Sequence, residues 1–176
     1  KLARAADYIL HQAALPSVPR SVADPLATNR HNVEGSLNVL WAAKEAGVKR
    51  VVVASSSSVY GEGMELPKRE SQVPLPISPY AVSKHTVEQY ARVFHRLYGL
   101  PVVLLRYFNV FGPRQNPQSQ YAAAIAKFCF CALRGTRVPI HGDGEQSRDF
   151  TFVANVVQAN LLACTAPAAP GQVMNI

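Results

Sequence analysis

The sequence lacks the features that mark several broad protein classes. No apolar run approaches the ~20 residues that a membrane span needs, so no membrane association is expected. The opening, Lys-Leu-Ala-Arg-Ala-Ala-Asp at 1–7, has no apolar core region behind its charges and does not read as a signal peptide. Cysteine is sparse, and Cys129, Cys131 and Cys164 have no metal-ligand spacing. The first two fall in an apolar helical run, which predicts buried free thiols, no metal site and a reducing, cytoplasmic setting. Basic residues exceed acidic ones, 18 against 11. They are scattered, with neither the basic run nor the interleaved aromatics of a nucleic-acid surface, and a groove for an anionic small molecule accounts for the excess equally well. Internal repeats, low-complexity segments and linkers are absent. A chain of 176 residues with 48% apolar content suits one folded domain with a substantial core.

What is present is an alternation. Asp7–His11 is a short apolar run that reads as a buried strand, followed by a loop through Pro16 and Pro19 and a polar stretch at Asp24-Pro25. Residues 33–46 carry helical spacing (Val33, Leu37, Leu40, Trp41) and stop at Gly47. Val51–Ser55 is a β-branched run of the kind found in central parallel strands. Residues 61–78 read as a Pro-rich loop, Pro79–Tyr98 as a helix closed by Gly99, and 101–106 as a third strand. Further on, an Ala-rich helix is predicted at about 121–133 and brief extended pieces at 138–141 and 149–152. A last helix at about 153–165 and a strand at 173–176 complete the chain. Strands alternating with long helices predict βαβ units, hence a doubly wound parallel α/β sheet. Ligands bind such sheets beyond the carboxyl ends of the strands. His11-Gln12-Ala13-Ala14, the serine run Ser55–Ser58 and Tyr107-Phe108-Asn109 all directly follow predicted strands, so three clusters converge on one edge.

Tyr80 and Lys84 lie four residues apart on the predicted 79–98 helix, which puts both side chains on one face. An ammonium beside a phenol favours the phenolate and is expected to lower the Tyr80 pKa. A hydroxyl from the serine run could complete a Ser/Tyr/Lys base. Tyr-x-x-x-Lys alone is weak evidence, because the spacing recurs in many helices.

The context is more specific. In order along the chain stand His-Gln-Ala-Ala at 11–14, Asn32-Val33-Glu34-Gly35, Ser-Ser-Ser-Ser-Val-Tyr-Gly at 55–61, Tyr80-x-x-x-Lys84, Leu-Arg-Tyr-Phe-Asn-Val-Phe-Gly-Pro at 105–113, and Gly-Asp-Gly-Glu-Gln-Ser-Arg-Asp-Phe at 142–150. With these motifs the chain resembles the extended short-chain dehydrogenase/reductases, and among them the nucleotide-sugar epimerases. The 11–21 and 106–115 stretches are similar to bacterial UDP-N-acetylglucosamine 4-epimerases that also accept unacetylated sugars. Dehydratases of this group carry Asp-Glu where this chain has Ser57 and Ser58, and serine hydroxyls cannot do that acid/base work. The family's Gly-rich dinucleotide turn is not found in the 176 residues. The resemblance therefore implies an internal fragment, covering strands 4 to 7 of a Rossmann-type fold, that is inactive by itself.

The resemblance implies NAD as cofactor and a UDP-hexose as substrate. It assigns Tyr80 as the base, Lys84 as its electrostatic partner and a ribose ligand, and Ser56 as a proton relay, with Ser57 and Ser58 as alternatives set by strand register. Cofactor contacts are expected from Ala13, Ala14, Leu15, Ala54, Tyr107 and Phe108. His31 stands where relatives carry a small polar residue; it either alters the cofactor contact or points away. Asn109 and Arg148 are expected at the diphosphate, Pro139, Ile140 and His141 at the uracil, and Ser17 and Ala123 nearby. Asn32 reads as structural. Residues 1–112 would form the later part of the dinucleotide domain, 113–152 the sugar-nucleotide segment, and 153–176 the return to the sheet. A homodimer through 33–46 and 79–98 is also implied. Alternatives are a UDP-glucuronate 4-epimerase or decarboxylase, which would use the same triad, and a catalytically silent scaffold relative.

Overall fold

The computed structural model describes residues 2–63, 65–117, 124–138, 140 and 142–176. In chain order its elements begin with Tyr8–His11 (β1), Val18–Ala23 (α1), Pro25–Asn29 (α2), Gly35–Ala46 (α3), Arg50–Ser56 (β2) and Pro79–Tyr98 (α4). Val102–Tyr107 (β3), Val110–Phe111 (β4), Ala124–Arg134 (α5), Thr151–Phe152 (β5), Val153–Thr165 (α6) and Val173–Asn175 (β6) follow.

β1, β2, β3 and β6 lie side by side in that order as a parallel sheet, and β4 pairs with β5 as a separate parallel ribbon. Successive side chains along a strand face opposite ways, and this sorts the core. Val51, Val53, Val102 and Leu104 pack against Leu40 and Ala43 of α3 and Val87 and Phe94 of α4. Val52, Val103 and Leu105 turn the other way, toward Ala163 at the end of α6. Both faces of the central strands are thereby covered, which is why β2 and β3 read as unbroken apolar runs rather than alternating ones.

Helix α4 shows how local sequence fixes the site. Ser78 caps it, its Oγ accepting from the Ala81 N–H at 3.2 Å, Pro79 fits the first turn, and Gly99 closes it at φ 66°. Its inward stripe is Ala81, Lys84, Val87, Glu88, Ala91 and Phe94, so two charged residues are drawn into the core beside the sheet. The loop after β2 is anchored at Gly61, where φ is 60° and any Cβ would lie 1.9 Å from the Leu75 carbonyl oxygen.

Several expectations need correction. The predicted loop and polar stretch before residue 33 contain α1 and α2, each begun by a cap that accepts an N–H three residues on: Ser17 for Arg20 and Asp24 for Ala27. A π-helical turn at Arg30–Glu34 then runs directly into α3, so helical backbone starts well ahead of residue 33. Val138 and Ile140 belong to no strand, and only Thr151–Phe152 of the second extended piece pairs. Cys131 is buried but Cys129 is exposed; two residues apart on a helix, they face nearly opposite directions. No described helix is long and apolar enough to cross a membrane. No group of His, Cys, Asp or Glu among the described residues could hold a metal.

Candidate active site

The carboxyl ends of β1, β2 and β3 meet the first turns of α4. Lys84 is buried and donates from Nζ to the Ala54 carbonyl at 2.9 Å. Its Nζ lies 6.0 Å from the centre of the Tyr80 ring. Burial depresses the ammonium to about 8. The Tyr80 phenol is pushed above its ordinary value by burial, and a hydrogen bond with Ser56 pulls the other way. The expected lowering of Tyr80 by Lys84 is therefore not met. Desolvation outweighs it, and the ammonium is aimed at a backbone carbonyl.

The serine run is divided by the pleat. Ser55 faces α4 and donates to Glu88 Oε1 at 2.6 Å. Glu88 also takes Arg106 in a two-pronged ion pair, Nε to Oε1 at 2.8 Å and Nη2 to Oε2 at 2.7 Å, with both side chains wholly buried. Ser56 ends the strand, interacts with Tyr80, and accepts from the Ser58 N–H at 3.2 Å, capping the short 3₁₀ turn Ser57–Tyr60. It is both a strand-end cap and the hydroxyl beside the phenol. Ser57 is half-buried, and the Ser58 hydroxyl is buried without a hydrogen-bond partner.

Beneath these residues the segment after β1 is tied down. The buried Asn32 amide accepts from Leu15 N at 2.7 Å and donates to Leu15 O at 3.1 Å and to Ser83 Oγ at 3.0 Å. This bonding to backbone is what its structural reading implies. Ser36 spends its one hydroxyl proton on the Asn32 carbonyl at 2.5 Å. The 2.8 Å contact between His11 Nε2 and Ser36 Oγ must then be donated by the ring, which leaves Nδ1 as an acceptor. The His11 pKa is lowered by burial first and by the Lys84 charge second. Ala13 is exposed, while Ala14 and Leu15 are half-buried. Ser17 is held at φ 96°, ψ 120°, a conformation that side-chain-bearing residues avoid at a cost of order 1–3 kcal/mol. His31 is exposed on the π-helical turn.

On the other side of Ser56, Tyr107 takes part in a closed ring of hydrogen bonds. Its OH donates to Gln12 Oε1 at 3.0 Å, Gln12 Nε2 donates to Asn160 Oδ1 at 2.9 Å, and Asn160 Nδ2 donates to the Tyr107 OH at 2.8 Å. Burial raises the Tyr107 phenol. The Phe108 ring lies 6.3 Å from that of Tyr60.

The structure thus brings Leu15, Ala54, Ser56, Tyr80, Lys84 and Tyr107 to one sheet edge. Asn109 and Arg148 form an exposed second group: Asn109 Nδ2 donates to Asp149 O at 2.8 Å, and Arg148 Nη1 to Ser147 O at 2.7 Å. Ile140 is exposed, and Ala123, Pro139 and His141 lie outside the described residues. Asn160 and Gln12 were missed as site residues. The signal for Asn160 was an amide on the otherwise apolar inward stripe of α6, between Val156 and Ala163.

The profile of the NAD dependent epimerase/dehydratase family matches residues 1–176. The UDP-N-acetylglucosamine 4-epimerase of Methanobrevibacter ruminantium, solved with UDP-N-acetylmuramic acid, is 49% identical with a TM-score of 0.93 over 97% of this chain and 54% of its own. The Thermotoga maritima UDP-glucose 4-epimerase, solved with UDP-glucose, is 42% identical with a TM-score of 0.91, covering 97% and 55%. A putative UDP-glucose 4-epimerase of Methanocaldococcus jannaschii is 40% identical over 158 residues, 89% of this chain and 52% of that protein. The chain spans about half the length of the curated relatives it matches.

Proposed function

The chain belongs to the NAD dependent epimerase/dehydratase family, and from that premise we propose that it carries the base of a UDP-hexose 4-epimerase acting on UDP-N-acetylglucosamine and related sugars. The observation that supports this best is the placement of Tyr80 between a buried ammonium and the Ser56 hydroxyl at the open end of the sheet. Tyr80 takes the proton of the sugar 4-hydroxyl, and Ser56 hydrogen-bonds the same oxygen and steadies the 4-keto sugar. Bound NAD would supply uptake and return of the C4 hydrogen as hydride.

The residues present fit the nicotinamide-ribose half of that cofactor. Lys84 has three N–H donors and gives one to Ala54 O, which leaves donors for ribose hydroxyls. Ala13 and Ala14 let a ring approach the backbone. Burial raises the Tyr80 phenol, and the positive charge of an oxidised nicotinamide held beside it would favour the phenolate. In the second group, Asn109 and Arg148 would hold the diphosphate, since a guanidinium can engage phosphate oxygens in pairs. The same reading gives 113–152 to the sugar nucleotide and makes the protein a homodimer through α3 and α4, where Trp41, Val93, Leu97 and Tyr98 are exposed.

The test is to offer UDP-N-acetylglucosamine and UDP-glucose separately to the protein as its source makes it, and to follow C4 inversion by chromatography. Inversion that falls at least ~100-fold in Tyr80→Phe supports the reading. Undiminished inversion in that variant, or none with either sugar in the unaltered protein, overturns it.

A further inference from the structure

Asn160 is an anomaly in its helix. It occupies the inward stripe of α6 and is buried, at 7% exposure, in a position where an aliphatic side chain would pack against the sheet at no polar cost. Its amide is nevertheless well used. One N–H goes to the Val156 carbonyl at 2.7 Å, the other to the Tyr107 OH at 2.8 Å, and its oxygen receives Gln12 at 2.9 Å. The Tyr107 OH completes the circuit by donating to Gln12 at 3.0 Å. Every member of this ring donates once and accepts once within it, and the Asn160 N–H bond to the Val156 carbonyl selects the direction in which the ring runs.

The ring has a definite place in the sheet. Gln12 follows β1 and Tyr107 ends β3, the two strands that flank β2. Tyr107 stands at the register position beside Ser56. Asn160, from α6, therefore bridges the two flanking strands across the end of the strand that presents the Ser56 hydroxyl. The segment that begins at Gln12 is held from one side by Asn32 and from the other by this ring. The ring runs from the buried Asn160 through the half-buried Tyr107 to the exposed Gln12; a satisfied polar ring favours one arrangement and loses it when a member is removed.

We propose that Asn160 is a positioning residue that fixes the Gln12–Leu15 segment and the Tyr107 ring as the cofactor-side wall of the site. This deepens the function proposed above and rests on it for the identity of the cofactor. Asn160→Leu keeps the branched shape of the side chain and breaks the ring. It is expected to speed amide hydrogen exchange at residues 12–15 about tenfold, the scale of one lost hydrogen bond. Without the Asn160 donor, the Tyr107 phenol, followed by NMR of labelled tyrosine, is expected to titrate higher still than in the unaltered protein. NAD affinity by calorimetry should fall about tenfold.

If Asn160→Leu does not fold, Tyr107→Phe removes one oxygen, breaks two of the three bonds and is expected to give the same exchange and affinity changes. Unchanged exchange and phenol titration in a folded Asn160→Leu, or unchanged exchange in Tyr107→Phe, overturns the proposal. A loosened segment with undiminished NAD affinity overturns the assignment to the cofactor side. Failure of the underlying function would show differently, as absence of NAD binding by the unaltered protein, and the exchange comparison would still stand.

Discussion

Glu88→Ala is expected to be among the most damaging single substitutions in this chain, although Glu88 lies outside the Ser56, Tyr80 and Lys84 group. Arg106 is 1% exposed and its charge is met by Glu88 through two hydrogen bonds of 2.8 and 2.7 Å. The guanidinium also lies 4.7 Å from the centre of the Tyr60 ring, and its Nη1 is buried without a hydrogen-bond partner. Removing the carboxylate leaves a buried cation with only an aromatic face to compensate it, at a cost of about 3–5 kcal/mol. In a domain of this size each kcal/mol moves the melting temperature by roughly 2–4 °C, so a drop of about 6–20 °C is expected. Replacing both partners by methionine removes the stranded charge and is expected to cost less than Glu88→Ala alone. Urea unfolding followed by the fluorescence of Trp41, the single tryptophan, measures both. A loss below about 1 kcal/mol in Glu88→Ala, or a double variant less stable than the single one, refutes the argument that the pair is kept intact by the penalty of separating it.

Two further outcomes are expected. Lys84 sits near 8 in the folded protein against an ordinary 10.5, so between those values the unfolded chain binds more protons and stability rises with pH. The rise should reach at most roughly 3 kcal/mol and be missing in Lys84→Met; parallel urea midpoints for the two proteins at pH 7.5 and 9.5 would contradict it. Second, Leu97→Asp on the exposed face of α4 is expected to shift a homodimer to monomer by light scattering while leaving the circular dichroism spectrum unchanged, and a retained dimer would move the interface elsewhere.

How much of this was legible in the sequence depended on whether the signal was local. Helix α4 could be placed to the residue because Pro79 and Gly99 are punctuation that acts through the backbone. Helices α1 and α2 also have caps and prolines, at Ser17, Pro19, Asp24 and Pro25, but six and five residues are too few to show an apolar period. The four serines are indistinguishable as letters. Only the register of β2 against β3 sends Ser55 to Glu88 and leaves Ser56 at the open edge. The phenol of Tyr80 was misjudged for a related reason: charge spacing is visible in sequence, whereas desolvation is a property of the packed chain. Asn160 escaped because its partners lie 53 and 148 residues away.

The π-helical turn at Arg30–Glu34 has a consequence for how such a chain can change by insertion and deletion. A π turn holds one residue more than the α-helix around it, and each helical residue advances the side chains by about 100°. Deleting one residue there would restore a regular helix while swinging everything before it around the axis. Asn32 could then no longer reach both Leu15 and Ser83. Substitutions along α3 leave this phase untouched. The extra residue works as a clocking pin: it ties the reading frame of one helix to the placement of a loop on the far side of the site.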